Sequence, residues 1–152
     1  MTAFDISSID LKADSERGSW LHLKDPRTGK PISTKDGAPV RLRVLGPQAD
    51  AVTQATEAVN KERQEREAKR AEFDSAGKLV KAGTSTKEEL VADDVRIYTA
   101  ATIGWENMAF NGVATFSKDI IASLYTERDW ARAQVFRWML DYANFMPGQE
   151  SA

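Results

Sequence analysis

The chain has 152 residues, the length of one domain, and its 41% hydrophobic residues suffice for one main core. Its 21 Lys and Arg against 23 Asp and Glu give a net charge of -2, which supplies no global positive field for nucleic acid or an anionic surface. The absence of Cys excludes disulfides, thiolate zinc sites and cysteine nucleophiles, and the single His22 leaves no imidazole pair for a metal.

Residues 1–17 carry scattered apolar side chains, Phe4, Ile6, Ile9 and Leu11, among Asp and Ser, and are expected to form a flexible N-terminal arm. Residues 18–47 read as a small antiparallel β hairpin or meander. Trp20-Leu21-His22-Leu23 leads into the turn cluster Asp25-Pro26-Arg27-Thr28-Gly29-Lys30-Pro31, and Val40-Arg41-Leu42-Arg43-Val44-Leu45 alternates with period two before Gly46-Pro47.

From residue 48 the period becomes helical, and a charged helix is expected over 48–74. Val52, Ala55 and Val59 form its thin apolar stripe; residues 61–72 then carry five basic and four acidic side chains, with Glu62/Arg66 and Glu65/Lys69 in the favourable i,i+4 order. So thin a stripe predicts that its C-terminal half projects or packs on another chain. Residues 75–84 read as a linker, with Leu79 and Val80 as its only docking residues.

A helical core region is expected over 85–147. Thr84, Ser85 or Thr86 caps its first helix, with Glu88 and Glu89 in the first turn. That helix has a wide apolar arc containing Asp94, and Gly104 ends or bends it. Nine of the thirteen aromatic residues lie between Trp105 and Phe145, which places the main core there. Asn111-Gly112 is a turn signal, Ser117 an N-cap, and the last helix, from about Glu127 to Asn144, is expected to be central with one polar edge, Gln134, Arg137, Asp141 and Asn144. Residues 148–152 are read as a frayed tail. The fold class is therefore α+β, one domain overall.

No residue set assembles a recognisable catalytic kit. His22, between Leu21 and Leu23, has no nucleophile or orienting acid marked near it and reads as an ordinary strand histidine. Adjacent Asp93 and Asp94 point about 100° apart on a helix and cannot face each other; Asp93 is expected to be solvated, and Asp94 to pair with an Arg or lie at an intermolecular contact. Thr28-Gly29-Lys30-Pro31 fails the phosphate-loop pattern, since Lys24 stands where the first Gly belongs and Pro31 replaces the Ser/Thr. Interleaved Glu residues cancel the field of Arg41, Arg43 and the helix cations, which argues against nucleic acid, and Trp105, Trp130 and Trp138 read as core. No cofactor, metal or membrane role is expected. The start Met1-Thr2-Ala3-Phe4-Asp5 lacks signal-peptide regions and no apolar run has bilayer length, so a cytoplasmic protein is expected.

Two stretches carry a family resemblance. Ile103-Gly104-Trp105-Glu106-Asn107, Phe110-Asn111-Gly112, Phe116-Ser117-Lys118-Asp119, Leu124-Tyr125, Trp130 with Gln134-Val135, and Asn144-Phe145 follow one another towards the end of the chain. Before them stand Trp20-Leu21-His22-Leu23, the 25–29 turn, Leu45-Gly46 and the charged helix. Together, over roughly 18–145, they resemble small tail assembly chaperones of tailed bacteriophages and prophages. The resemblance implies a non-enzymatic protein of the host bacterial cytoplasm that coats the tape-measure protein, helps recruit major tail protein, and is lost from the finished particle; a longer frameshifted form exists for many members. Its motifs specify fold better than activity.

The alternative is a permanent virion component, a head-tail connector or tail-completion subunit. A host-directed regulatory protein ranks third; an enzyme comes last, and an activity lost on substituting His22, Asp94 or Asp141 would promote it. Expected partner contacts are Arg63, Arg66 and Arg70 on the projecting helix, then Asp94 and the strip Gln134, Arg137 and Asp141; self-association is left open. Charge reversal at Arg66 and Arg70 is expected to weaken partner binding while leaving melting nearly unchanged.

Overall fold

Asp10 accepts a hydrogen bond from the Ala13 N–H, 2.9 Å, and Asp14 and Arg17 place opposite charges in the first and last turns; a helix, α1 (Leu11–Arg17), forms where a flexible arm was expected. The computed structural model describes residues 2–148. Of the expected frayed tail, all but Gly148 lies outside the described residues. Helix α1 is docked as well as capped. Ser15 is fully buried, its Oγ accepting from Gln48 N, and Arg17 donates to the Phe145 carbonyl. Gly18 ends the helix with φ +70°, and a side chain there would strike the Val44 carbonyl.

Strands β1 (Ser19–His22) and β2 (Arg41–Val44) pair antiparallel, Ser19 opposite Val44 and His22 opposite Arg41. The expected alternation holds: Leu42 and Val44 are fully buried, whereas Arg41 and Arg43 lie over the Trp20 ring on the outer face, 4.9 and 5.5 Å from its centroid. Burying a Leu or Val completely is worth about 1.5–3 kcal/mol.

Helix α2 (Asp50–Arg70) ends four residues before the expected boundary. It buries only Val52 and Val59, yet it does not project: its second half lies along the helix that follows, held by ion pairs. The expected linker is a short hairpin, β3 (Glu72–Phe73) with β4 (Leu79–Lys81), whose Phe73, Leu79 and Val80 are all exposed and outside the core.

Helix α3 (Lys87–Ala101) opens with a capping box, Thr86 accepting from Glu89 N and the Glu89 carboxylate accepting from Thr86 N. It stops at Ala101, where a strand, β5 (Thr102–Glu106), begins and pairs antiparallel with β2, giving the order β1-β2-β5. The region after 85 is thus mainly helical, as expected, with one strand that the reading of 85–147 as a helical core did not include. Thr102 and Ile103 are β-branched and Trp105 aromatic, types that favour strands. The Lys118 ammonium takes the Thr99, Ala100 and Thr102 carbonyls that close α3. Asn111 and Gly112, φ +50° and +80°, make the expected tight turn between Phe110 and Val113.

Ser117 caps α4 (Lys118–Glu127) as expected, and α5 (Asp129–Leu140) follows, then a 3-10 turn over Tyr142–Phe145. Helix α5 buries only Ala131, Val135 and Met139, while Phe136 and Leu140 are exposed, so it is a flank and not the centre. The core is shared along the chain. Leu21, Leu42 and Val44 of the sheet meet Val95, Ile121, Tyr125 and Val135 of the helices, and the Tyr125 hydroxyl bonds Thr102 Oγ1 at 2.6 Å in the interior. The fold is α+β.

Candidate functional site

Strand β1 is an edge of the sheet, and one helix side chain covers the chain just past its end. Leu23 N donates to Val40 O, so the neighbouring Lys24 peptide group turns away from the hairpin. It meets Gln134, whose Oε1 accepts from Lys24 N at 2.9 Å and whose Nε2 donates to Lys24 O at 2.8 Å. A primary amide thereby does for this peptide group what a neighbouring strand would do.

Around this junction lies a groove of about 750 Å³ between the 21–31 segment and α5. Leu21, Pro26, Pro31, Trp130 and Trp138 give it apolar surface; Lys24, Gln134, Arg137, Asp141 and Asn144 give it polar groups. Trp130 and Trp138 are eight residues apart on one helix, about 12 Å along its axis. Their frame is fixed: Trp138 Nε1 donates to Ser19 Oγ at 2.9 Å, Asn144 Nδ2 donates to the Trp138 carbonyl, and Asp141 caps the 3-10 turn through Ala143 N. His22 Nε2 lies 2.7 Å from the Ile32 carbonyl, consistent with a strand histidine. At the rim, hydrogen bonds from Arg27 hold Asp25 down at about 2. Arg137 is exposed on the polar strip.

The structure therefore brings Gln134, Arg137 and Asp141 together on one groove. It does not bring the remaining expected contacts there. Arg63 and Arg66 both pair with buried Asp93, at 3.0 and 2.9 Å, and Arg66 and Arg70 pair with Glu89. Arg66 also donates to Ser85 Oγ, which donates to Glu67. Reversing charge at Arg66 is consequently expected to cost folding stability, which withdraws the expectation of unchanged melting. The two aspartates exchange roles: Asp93 is buried and paired, and Asp94 lines a separate shallow cleft with Tyr98, Asp129, Arg132 and Phe136. Burial raises the Asp94 pKa despite Arg63 and Arg132, and burial together with Asp94 pushes Tyr98 up to about 12.

Sequence reasoning missed the groove's aromatic wall and its opposite bank. Trp130 and Trp138 lie four residues either side of Gln134, the spacing of one helical face, which was the available signal. Lys24, Pro26 and Pro31 had none beyond their turn.

Among the described residues, no group of three or more His, Asp or Glu is arranged to hold a metal, and no helix is long and apolar enough to cross a membrane. No family model, curated protein or solved structure matches the chain.

Proposed function

We propose that this chain acts by binding an extended segment of another protein in the groove between β1 and α5, as a non-enzymatic tail assembly chaperone of a tailed phage. The observation that carries the binding role is the groove itself: two tryptophans about 12 Å apart, a span of three to four extended residues, on a wall held rigid by Gln134, Ser19 and Asn144. Aromatic surface beside a few fixed polar groups is the composition that recognises a peptide. The partner comes from the resemblance over residues 18–145, which supports the tape-measure protein as the segment bound, major tail protein as the subunit recruited, and the host cytoplasm as the place.

The test is titration of tape-measure fragments from the same phage against the full chain and Arg137→Glu. Arg137 is exposed, so the variant should melt like the wild type while binding at least tenfold more weakly, about 1.4 kcal/mol. Unchanged affinity would move the site elsewhere, and no binding of any fragment would remove the tape-measure assignment. Quantitative mass spectrometry separates the remaining reading. Abundance in infected cells with absence from virions fits a chaperone, whereas a fixed copy number per virion would make the chain a connector or tail-completion subunit.

A further inference from the structure

Three large apolar side chains stand outside the core on one short acidic segment. Phe4, Ile6 and Ile9 are 74%, 72% and 56% exposed. The backbone around them is nevertheless shaped, since Asp5 caps the 3-10 turn Ile6–Ser8 and Asp10 caps α1. Residues 2–10 contain Asp5 and Asp10 and no basic residue, so the segment carries a charge of -2. Among the described residues, both hydrogen bonds to the Asp5 carboxylate, from Ser7 N at 3.0 Å and Ser7 Oγ at 2.6 Å, end on Oδ1, so Oδ2 can take a donor from outside.

A complementary surface lies at the far end of the sheet. Beyond Trp130 a second cleft of about 300 Å³ is walled by Leu23, Ile32, Val40 and Phe110, and among the described residues Arg128 is the one charged side chain lining it. The Arg128 guanidinium lies over the Phe110 ring, 5.6 Å from its centroid, and Nη1 donates to the Glu127 carbonyl. An apolar cavity with a single cation at its edge suits an aromatic residue followed by an acid, and Phe4-Asp5 is that pair.

We propose that the N-terminal segment of one copy docks in this cleft of a second copy, Phe4 entering it and Asp5 pairing with Arg128. The occupant is a second copy because, with Phe4 74% exposed and none of residues 2–10 lining the cleft, each chain's own segment stands clear of its own cleft. It leads into α1, which is fastened by Ser15 to Gln48, by Arg17 to Phe145 and by Gly18 against Val44. The cleft lies at the opposite end of the same strands, at Leu23 and Val40. Segment and cleft are different surfaces, so the contact is head-to-tail: a pair retains one unused segment and one unused cleft, and growth continues until a ring closes. The tape-measure assignment plays no part in this.

The experiment is sedimentation velocity on the full chain across a concentration series, with Phe4→Asp, Ala109→Glu and their equimolar mixture. Both substitutions fall on exposed residues, Ala109 at the cleft, so circular dichroism should show wild-type folding. The wild-type mass should rise above monomer with concentration, and each variant alone should stay monomeric. The mixture should stop at a one-to-one pair, because the Ala109→Glu chain contributes the intact segment and the Phe4→Asp chain the intact cleft. A wild type that stays monomeric, a variant that still associates, or a mixture without the pair would overturn the proposal; so would concentration-independent protection of Phe4, which would place the segment in its own chain's cleft.

Discussion

Burial makes the charge on Asp93 costly, and hydrogen bonds from Arg66 and Arg63 more than offset that cost, so its carboxyl stays below the ordinary value. For Asp94 burial wins over Arg63 and Arg132, and Asp93 adds repulsion, so its pKa is raised. The signs of the pH effects follow. Asp93 stabilises the fold above the unfolded carboxylate pKa, about 4, and this is lost as pH falls through its lowered folded value. Asp94 costs stability once pH passes the same unfolded value, since the folded state resists its ionisation. At pH 7, Asp93→Asn should therefore destabilise by about 2–3 kcal/mol, leaving two guanidinium groups without the negative charge they share. Asp94→Asn should raise the melting temperature at pH 7 and leave it unchanged near pH 3. Thermal melts at the two pH values check both; an Asp94→Asn benefit that persists near pH 3 would mean that something other than charge sets it. Which aspartate is buried was not legible locally, because neighbours 100° apart both border the apolar arc. The choice is made by Arg63 and Arg66, 30 and 27 residues earlier.

At the scale of elements, helix α2 shows how an ion-pair clasp replaces an apolar seam. Up to Val59 it is held by buried valines; beyond that it is held by Arg63, Arg66 and Arg70 on Asp93 and Glu89, by Glu62 on Arg96, and by the close approach of Gly83 to the Glu67 backbone. Partly exposed ion pairs are screened by salt, and buried valines are not. Amide hydrogen exchange should accordingly be faster over 62–70 than over 52–59, and about 1 M sodium chloride should speed the first stretch while leaving the second alone. Equal responses in both halves would show an apolar contact beyond Val59. The helix was legible in its i,i+4 charges, but those charges read equally well as a solvated face, since the partner carboxylates stand on another helix. Caps and turns at Thr86, Ser117 and Asn111-Gly112 were legible because their chemistry is local. Strand β5 was not, since a five-residue strand exists only because the unpaired edge of β2 receives it. The groove was half legible: the polar strip Gln134, Arg137 and Asp141 follows from helical spacing, whereas its opposite bank depends on how the 21–31 segment packs.

For the whole molecule, the core is one contiguous cluster whose members come from Leu21 through Phe145. Residues near the start close it as much as residues near the end: α1 holds Phe145 through Arg17, β1 holds α5 through Trp138, Lys24 after it holds α5 through Gln134, and β2 holds β5 by its ladder. Three of the four tryptophans, Trp105, Trp130 and Trp138, pack on that cluster from the late part of the chain, while far-ultraviolet circular dichroism is dominated by the helices, of which the 21-residue α2 is the longest. If the early β element and the late helices were separate units, the two signals would report on different transitions. A shared core instead requires them to coincide, because Leu42 and Val44 of β2 belong to the same buried cluster as Ile121, Tyr125 and Val135. Tryptophan fluorescence and circular dichroism should therefore give the same midpoint in urea, with an m-value that scales with all of the buried surface. The β3–β4 hairpin, exposed and outside the core, should contribute nothing to that midpoint, and deleting its apolar surface by Phe73→Ser and Val80→Ser should leave it within experimental error. Two separated midpoints would show that the 18–47 element and the helices after residue 85 unfold as independent domains.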